Sequence, residues 1–118
     1  MNKERVISAL QAKCADWIET QGTYYEEAIF PHDAYRGCAL GKLVHVHPDA
    51  QKLRKEYYAF AIYAEDPNFF RPYFENFFKE EYGLSKQEVR FIESSFEFGS
   101  QSCAQIALLI EQDMLPLK

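Results

Sequence analysis

The feature that most constrains the fold of this chain is a dense run of aromatic residues in its middle. Eleven aromatic side chains fall between Tyr57 and Tyr82 of the 118-residue chain, and aromatic residues make up 16% of the whole. Spacings of three and four residues place five of them on one helical face, namely Phe70, Tyr73, Phe74, Phe77 and Phe78. Each such side chain can bury about 150–250 Å². The run therefore predicts a helix whose aromatic face is covered by the core or by a partner.

Apolar residues elsewhere in the chain also recur at helical spacing. One stripe in the N-terminal region predicts a helix over residues 3–21, which Gly22 is suited to end. A shorter helix is expected from about residue 34 through Val44, and a third begins after His47. Phe60 belongs to one apolar stripe of this third helix, with Leu53 and Tyr57, and Tyr58 belongs to a second, so the helix is expected to be covered on two sides.

Two local patterns mark the starts of the last two helices. Ser85 is followed three residues later by Glu88, and Ser102 is followed by Gln105. At this spacing the two side chains satisfy backbone N–H groups at the start of a helix. A short connection between these helices predicts a helical hairpin. Together the patterns predict a compact all-α single domain over residues 1–118, with about six helices.

Composition and charge narrow the class of protein. The net charge is −5 and no basic stripe is present, so direct nucleic-acid binding is not expected. No apolar run approaches the ~20 residues that span a bilayer, so no membrane association is expected. Three widely spaced cysteines, Cys14, Cys38 and Cys103, argue against a disulfide framework. Since no signal peptide is evident, the sequence predicts a cytoplasmic protein.

A group of cysteine and histidine residues is the main candidate for chemistry. His32, Cys38, His45 and His47 are residue types that bind transition metals. No C-x-x-C or H-E-x-x-H spacing accompanies them, so we predict no metal site and no cofactor. The alternative is a metal-dependent protein centred on Cys38, His45 and His47, for which these four residues are the candidate ligands. A second form of that alternative is a thiol-dependent protein in which Cys38, activated by a nearby histidine, is the nucleophile.

Gly37 and Gly41 lie four residues apart in the same segment, and Lys42 follows them. A phosphate-binding P-loop would need a preceding strand and a Ser or Thr after the lysine, and the sequence indicates neither. We interpret the two glycines as a place where two helices approach closely.

The lack of a catalytic signature favours a binding protein over an enzyme. The aromatic residues exceed what one small core takes up, and aromatic residues are enriched at interfaces. The predicted interaction residues are Tyr58, Phe69, Tyr73, Phe77 and Tyr82. We expect them to bind a protein partner or to mediate self-association as a homodimer. Another hypothesis is an acidic inhibitor of a nucleic-acid-binding partner, which would use acidic residues such as Glu80, Glu93, Glu97 and Glu111.

One segment resembles part of a known group of proteins. Cys38, Ala39, Leu40 and Gly41 follow an amphipathic first segment and a loop, and the chain closes with the helical pattern AQIALLIEQDM. In these respects the chain is similar to small helical bacterial and phage proteins of unknown function that carry a Cys-Ala-Leu-Gly segment. The resemblance implies an all-α fold and no particular activity.

Overall fold

The computed structural model of the chain describes residues 1–26, 34–61 and 69–113. Within these ranges the chain forms seven helices and three short strands. The helices are α1 (Lys3–Gln11), α2 (Ala39–His45), α3 (Ala50–Ala61), α4 (Phe70–Tyr73), α5 (Glu75–Tyr82), α6 (Lys86–Glu97) and α7 (Cys103–Glu111). The strands are β1 (Trp17–Glu19), β2 (Tyr25–Glu26) and β3 (Tyr35–Gly37).

The three strands form one sheet, so the prediction of an all-α fold is wrong and the protein is α+β. β3 is the central strand. It pairs in parallel with β1, where Trp17 lies opposite Tyr35, and antiparallel with β2, where Tyr25 lies opposite Gly37. Strands of two or three residues are too short to show the alternating pattern by which strands are recognised in a sequence. The count of about six helices is also low by one for the described residues.

The predicted helix over residues 3–21 is about half as long in the structure. α1 ends at Gln11, because Ala12 takes an extended conformation with ψ of 135°. Trp17 and Ile18 continue the helical spacing, but aromatic and β-branched residues also favour strands, and pairing with β3 decides the outcome. Gly22 has a φ of 83° and lies in the turn between β1 and β2 instead of ending a helix.

The other helices follow the sequence pattern more closely. α2 begins only after Cys38, because β3 occupies the first residues of the region predicted as helical. The aromatic helix is divided at Phe74 into α4 and α5, and Gly83 ends it with a φ of 64°, as expected. Both capping boxes, at Ser85 and at Ser102, are confirmed.

The core lies between the helices, and the sheet covers one side of α2. α7 packs most extensively on α1, and α6 packs on α2. α6 and α7 also contact each other across their short connection, as the predicted hairpin requires. The side chains at the centre include Val6, Leu10, Leu40, Leu43, Phe70, Phe74, Phe78, Ile92 and Ile106. No helix in the described part of the chain is both long enough and apolar enough to span a bilayer.

Candidate functional site

The C-terminal end of α2 carries His45 into a network of polar side chains beside the sheet. The hydroxyl group of Tyr25 lies 2.6 Å from His45 Nδ1, and His45 Nε2 lies 3.0 Å from Asp16 Oδ1. The ring of Trp17 stacks on the imidazole with centroids 4.9 Å apart. The His45 side chain is 5% exposed, whereas Asp16 is 60% exposed. The network therefore runs from a buried phenol to a carboxylate at the surface.

The carboxylate of Asp16 can only accept, so His45 Nε2–H donates to it, and in the neutral imidazole Nδ1 then accepts the Tyr25 hydroxyl. Arg54 Nη1 donates to the Tyr25 oxygen at 3.1 Å. Burial raises the pKa of Tyr25 to about 12, although the hydrogen bond from Arg54 acts in the opposite direction. The hydrogen bond with His45 is the main reason why the pKa of Asp16 is lowered. A buried, neutral phenol with both partners in place holds α2 and α3 against the sheet and is not an activated nucleophile.

His47 contacts a different part of the molecule. Its Nδ1 accepts the backbone N–H of Asp49 at 3.1 Å, and its Nε2 lies 2.6 Å from Glu81 Oε1. Its ring packs on Phe77, with centroids 5.1 Å apart. His45 and His47 are therefore not brought together, since one joins the sheet and the other joins α5.

The candidate metal ligands do not assemble among the described residues. No group of three His, Cys, Asp or Glu side chains in this part of the chain has an arrangement suited to a metal ion. Cys38 is fully buried with its Sγ 3.9 Å from the carbonyl oxygen of Tyr24, and both ring nitrogens of His45 and His47 already have partners. His32 lies outside the described residues.

Cys38 is also poorly suited to act as a nucleophile. Burial raises the pKa of its thiol to about 12, and the carboxylates of Glu93 and Glu97 act in the same direction. Backbone hydrogen bonds at the start of α2 lower that pKa by less than burial raises it. Since the thiolate is the reactive form, Cys38 behaves as a small buried apolar residue.

Gly37 and Gly41 do mark a close approach, but not one between two helices. A Cβ atom at either position would overlap the carbonyl oxygen of Tyr24, and at Gly37 it would lie 2.7 Å from the Trp17 ring. The two glycines allow the chain entering β2 to cross directly over β3 and α2. This crossing places Tyr25 within reach of His45.

The five predicted interaction residues occupy different environments. Tyr82 is 4% exposed, and its hydroxyl group donates to the carbonyl oxygen of Leu43, so it belongs to the core. Phe77 is half-buried between the Phe74 ring and His47. Tyr58 is half-buried, with its ring next to that of Tyr57. The remaining two, Phe69 and Tyr73, are also half-buried, and both contact the ring of Tyr57 on α3.

Phe69 and Tyr73 join two residues of α3 in an aromatic strip, defined here as Tyr57, Phe60, Phe69 and Tyr73. The ring of Phe60 stacks on that of Phe69, with centroids 5.5 Å apart and planes at 12°. Tyr57 contacts both Phe69 and Tyr73. Phe60 is 58% exposed, although the apolar stripe to which it belongs was expected to be covered. Helical spacing alone does not show that α3 lies at the edge of the core.

Two of the four acidic residues proposed for an inhibitor surface are engaged within the protein, whereas Glu80 and Glu111 are exposed. Glu93 accepts the Tyr24 hydroxyl at 2.9 Å, and Glu97 accepts the backbone N–H of Gly22 at 2.7 Å. Burial and the hydrogen bond to Glu93 raise the pKa of Tyr24. These two carboxylates attach the turn between β1 and β2 to α6, so they are not a solvated acidic face.

Comparison of the chain with protein-family models, curated proteins and solved structures found no match. The resemblance of the Cys38–Gly41 segment to small helical bacterial and phage proteins therefore stays a prediction.

Proposed function

We propose that this chain is a cytoplasmic interaction protein that self-associates through the aromatic strip. The observation that carries the proposal is the exposure of Phe60, which is 58% accessible while its ring stacks on Phe69. Large apolar side chains exposed singly are common, but the exposed ring of Phe60 is continuous with the half-buried rings of the other three residues of the strip, so the four form a patch. Aromatic residues at such patches contribute strongly to binding because they bury large areas with little loss of side-chain freedom.

Because α3 is only weakly buried, we infer that another molecule permanently covers the surface formed by α3 and the aromatic strip. Over residues 50–60 only Ala50 is buried, while Leu53 and Tyr57 are partly buried against the core. An isolated helix shorter than ~12–15 residues is marginal in water, so most helices depend on tertiary contacts. Another copy of the same chain is always available as a partner where this protein is made, and that copy supplies the missing contacts.

The charges around the strip are compatible with two copies meeting there. The exposed side of α3 carries Lys52, Lys55 and Glu56. Both signs of charge are therefore available at the rim, so that opposite charges can face each other across a two-fold axis. The Glu56 carboxylate lies near Tyr73, whose pKa is raised by burial and by this charge.

Sedimentation equilibrium from low to high micromolar concentration tests the proposal. We expect a dimer for the wild type and a shift towards monomer for Phe60→Ser, because this substitution removes the most exposed ring of the strip. Phe98→Ser is the matched control, since Phe98 is 87% exposed at the end of α6 and lies outside the strip. A wild-type protein that stays monomeric throughout contradicts the proposal. Dissociation caused by Phe98→Ser alone would place the interface elsewhere.

A further inference from the structure

A pocket of about 170 Å³ lies where α4, the first turn of α5 and the first turn of α6 meet. Its rim carries Arg71, Glu75, Lys86 and Arg90, and its apolar wall includes Leu84 and Val89. This volume is smaller than the ~300–1,000 Å³ of pockets for drug-sized ligands. The pocket is therefore suited to a compact head group with a few carbon atoms attached.

The charge of the pocket is opposite to that of the whole chain. Three cations and one carboxylate line the pocket, and Arg71 is also paired with the carboxylate of Glu93 behind it. The local formal charge is therefore +1, whereas the chain carries −5. Lys86 Nζ is paired with Glu75 Oε1 at 3.2 Å. Arg90 has no hydrogen bond or ion pair with any residue in the described part of the chain. A local concentration of positive charge of this kind attracts anions.

Arg71 is held in position by a chain of contacts behind the pocket. Its Nη1 lies 3.3 Å from Glu93 Oε1, and Glu93 Oε2 accepts the hydroxyl group of Tyr24 at 2.9 Å. The Tyr24 ring in turn stacks on Phe70, with centroids 5.1 Å apart and planes at 15°. This arrangement uses one nitrogen of the guanidinium group, and no other hydrogen bond joins Arg71 to a described residue. The guanidinium group is thus oriented with donors left for a ligand.

We infer that this pocket binds a small organic oxyanion, meaning a phosphate or carboxylate group attached to a short apolar chain. Guanidinium groups match the geometry of these oxyanions and bind them through paired N–H donors. Arg90 and Arg71 contact the anionic group, and Lys86 adds a third positive charge at the rim. The apolar part of the ligand lies against the exposed ring of Pro72 and the accessible edges of Leu84 and Val89. The site is separate from the aromatic strip and does not depend on self-association.

Isothermal titration calorimetry with propyl phosphate and with butyrate, at constant ionic strength, tests this inference. We expect saturable one-to-one binding of at least one of the two anions. The anion that binds more tightly identifies the preferred head group. Arg90→Gln and Arg71→Gln should each weaken binding about tenfold or more, since each removes charge-assisted hydrogen bonds. Arg36→Gln is the control, because Arg36 is an exposed arginine on β3 outside the pocket.

The outcomes separate a built site from general charge attraction. Retained binding in Arg36→Gln and in Phe60→Ser, together with loss in both pocket variants, supports the inference. Equal weakening by Arg36→Gln shows that the anions respond only to overall charge and overturns it. Absence of saturable binding for both anions at millimolar concentration also overturns it. Thermal unfolding of each variant shows that lost binding does not reflect lost folding.

Discussion

At the scale of single residues, the network around His45 depends on partners that the sequence does not pair. Asp16 lies 29 residues before His45, and Tyr25 lies 20 residues before it. His45 could be named as a candidate because histidine is rare in this chain and chemically versatile. Its partners could not be named, because tyrosine and aspartate occur throughout the chain and only the folded sheet selects one of each. Arg54 joins the same network from a third element.

Replacing Tyr25 by Phe tests whether this network stabilises the protein. The substitution removes a buried hydroxyl group and leaves His45 Nδ1 and one N–H of Arg54 without their partner. We expect the free energy of unfolding, measured with urea, to fall by about 1–3 kcal/mol. Tyr35→Phe is the control, since Tyr35 contacts His45 and Arg54 through its ring and makes no hydroxyl hydrogen bond to a described residue. Equal losses in both variants would show that the hydrogen bonds of the Tyr25 hydroxyl group make no specific contribution to stability.

At the scale of elements, local signals were sufficient for the starts of α6 and α7 and for the end of α5, but they were insufficient for the end of α1 and for the strands. The capping boxes at Ser85 and Ser102 depend on residues three positions away, so they form wherever a helix starts there. β1 and β3 depend on each other across a long stretch of chain, and neither is long enough to show a pattern of its own. Whether a short segment within a helical stripe forms a strand therefore depends on the strands with which it pairs and not on its own residues.

Gly41 gives an element-scale test in which local propensity and tertiary structure predict opposite signs. Within a helix such as α2, replacing glycine by alanine stabilises by about 0.5–1 kcal/mol when nothing opposes the new methyl group. Here the added Cβ would overlap the Tyr24 carbonyl oxygen and lie 3.2 Å from the Trp17 ring. We expect Gly41→Ala to destabilise the protein by about 1–3 kcal/mol in urea unfolding. A stabilised variant would show that the chain at Tyr24 moves off α2 at little cost.

At the scale of the whole molecule, burial of tyrosines makes stability sensitive to alkaline pH. Burial raises the pKa of both Tyr25 and Tyr82 from 10.0 to about 12. Above pH 10 the unfolded chain ionises these groups while the folded protein keeps them neutral. The folded state therefore has its full stability below that pH and loses it as the pH rises towards 12.

The expected measurement is the free energy of unfolding at several pH values between 9 and 12, from urea titrations. It should decrease with increasing slope above pH 10, and Tyr82→Phe should make the decrease less steep, because one group no longer titrates differently in the two states. Loss of the hydrogen bond to Leu43 lowers the stability of the variant at every pH. The comparison with the wild type therefore uses the slope of the unfolding free energy against pH and not its absolute value. Identical slopes would show that Tyr82 titrates alike in both states.

The sequence by itself determined the features that depend on residues within one or two helical turns. These are the aromatic helical face, the two capping boxes and the end of α5 at Gly83, where a positive φ favours glycine. Only the tertiary structure decided the sheet, the His45 network, the exposure of Phe60 and the cationic pocket around Arg71 and Arg90. Each of these brings together residues that are distant in the chain, and their contacts are selected by the packing of whole elements, which the spacing of residue types does not encode.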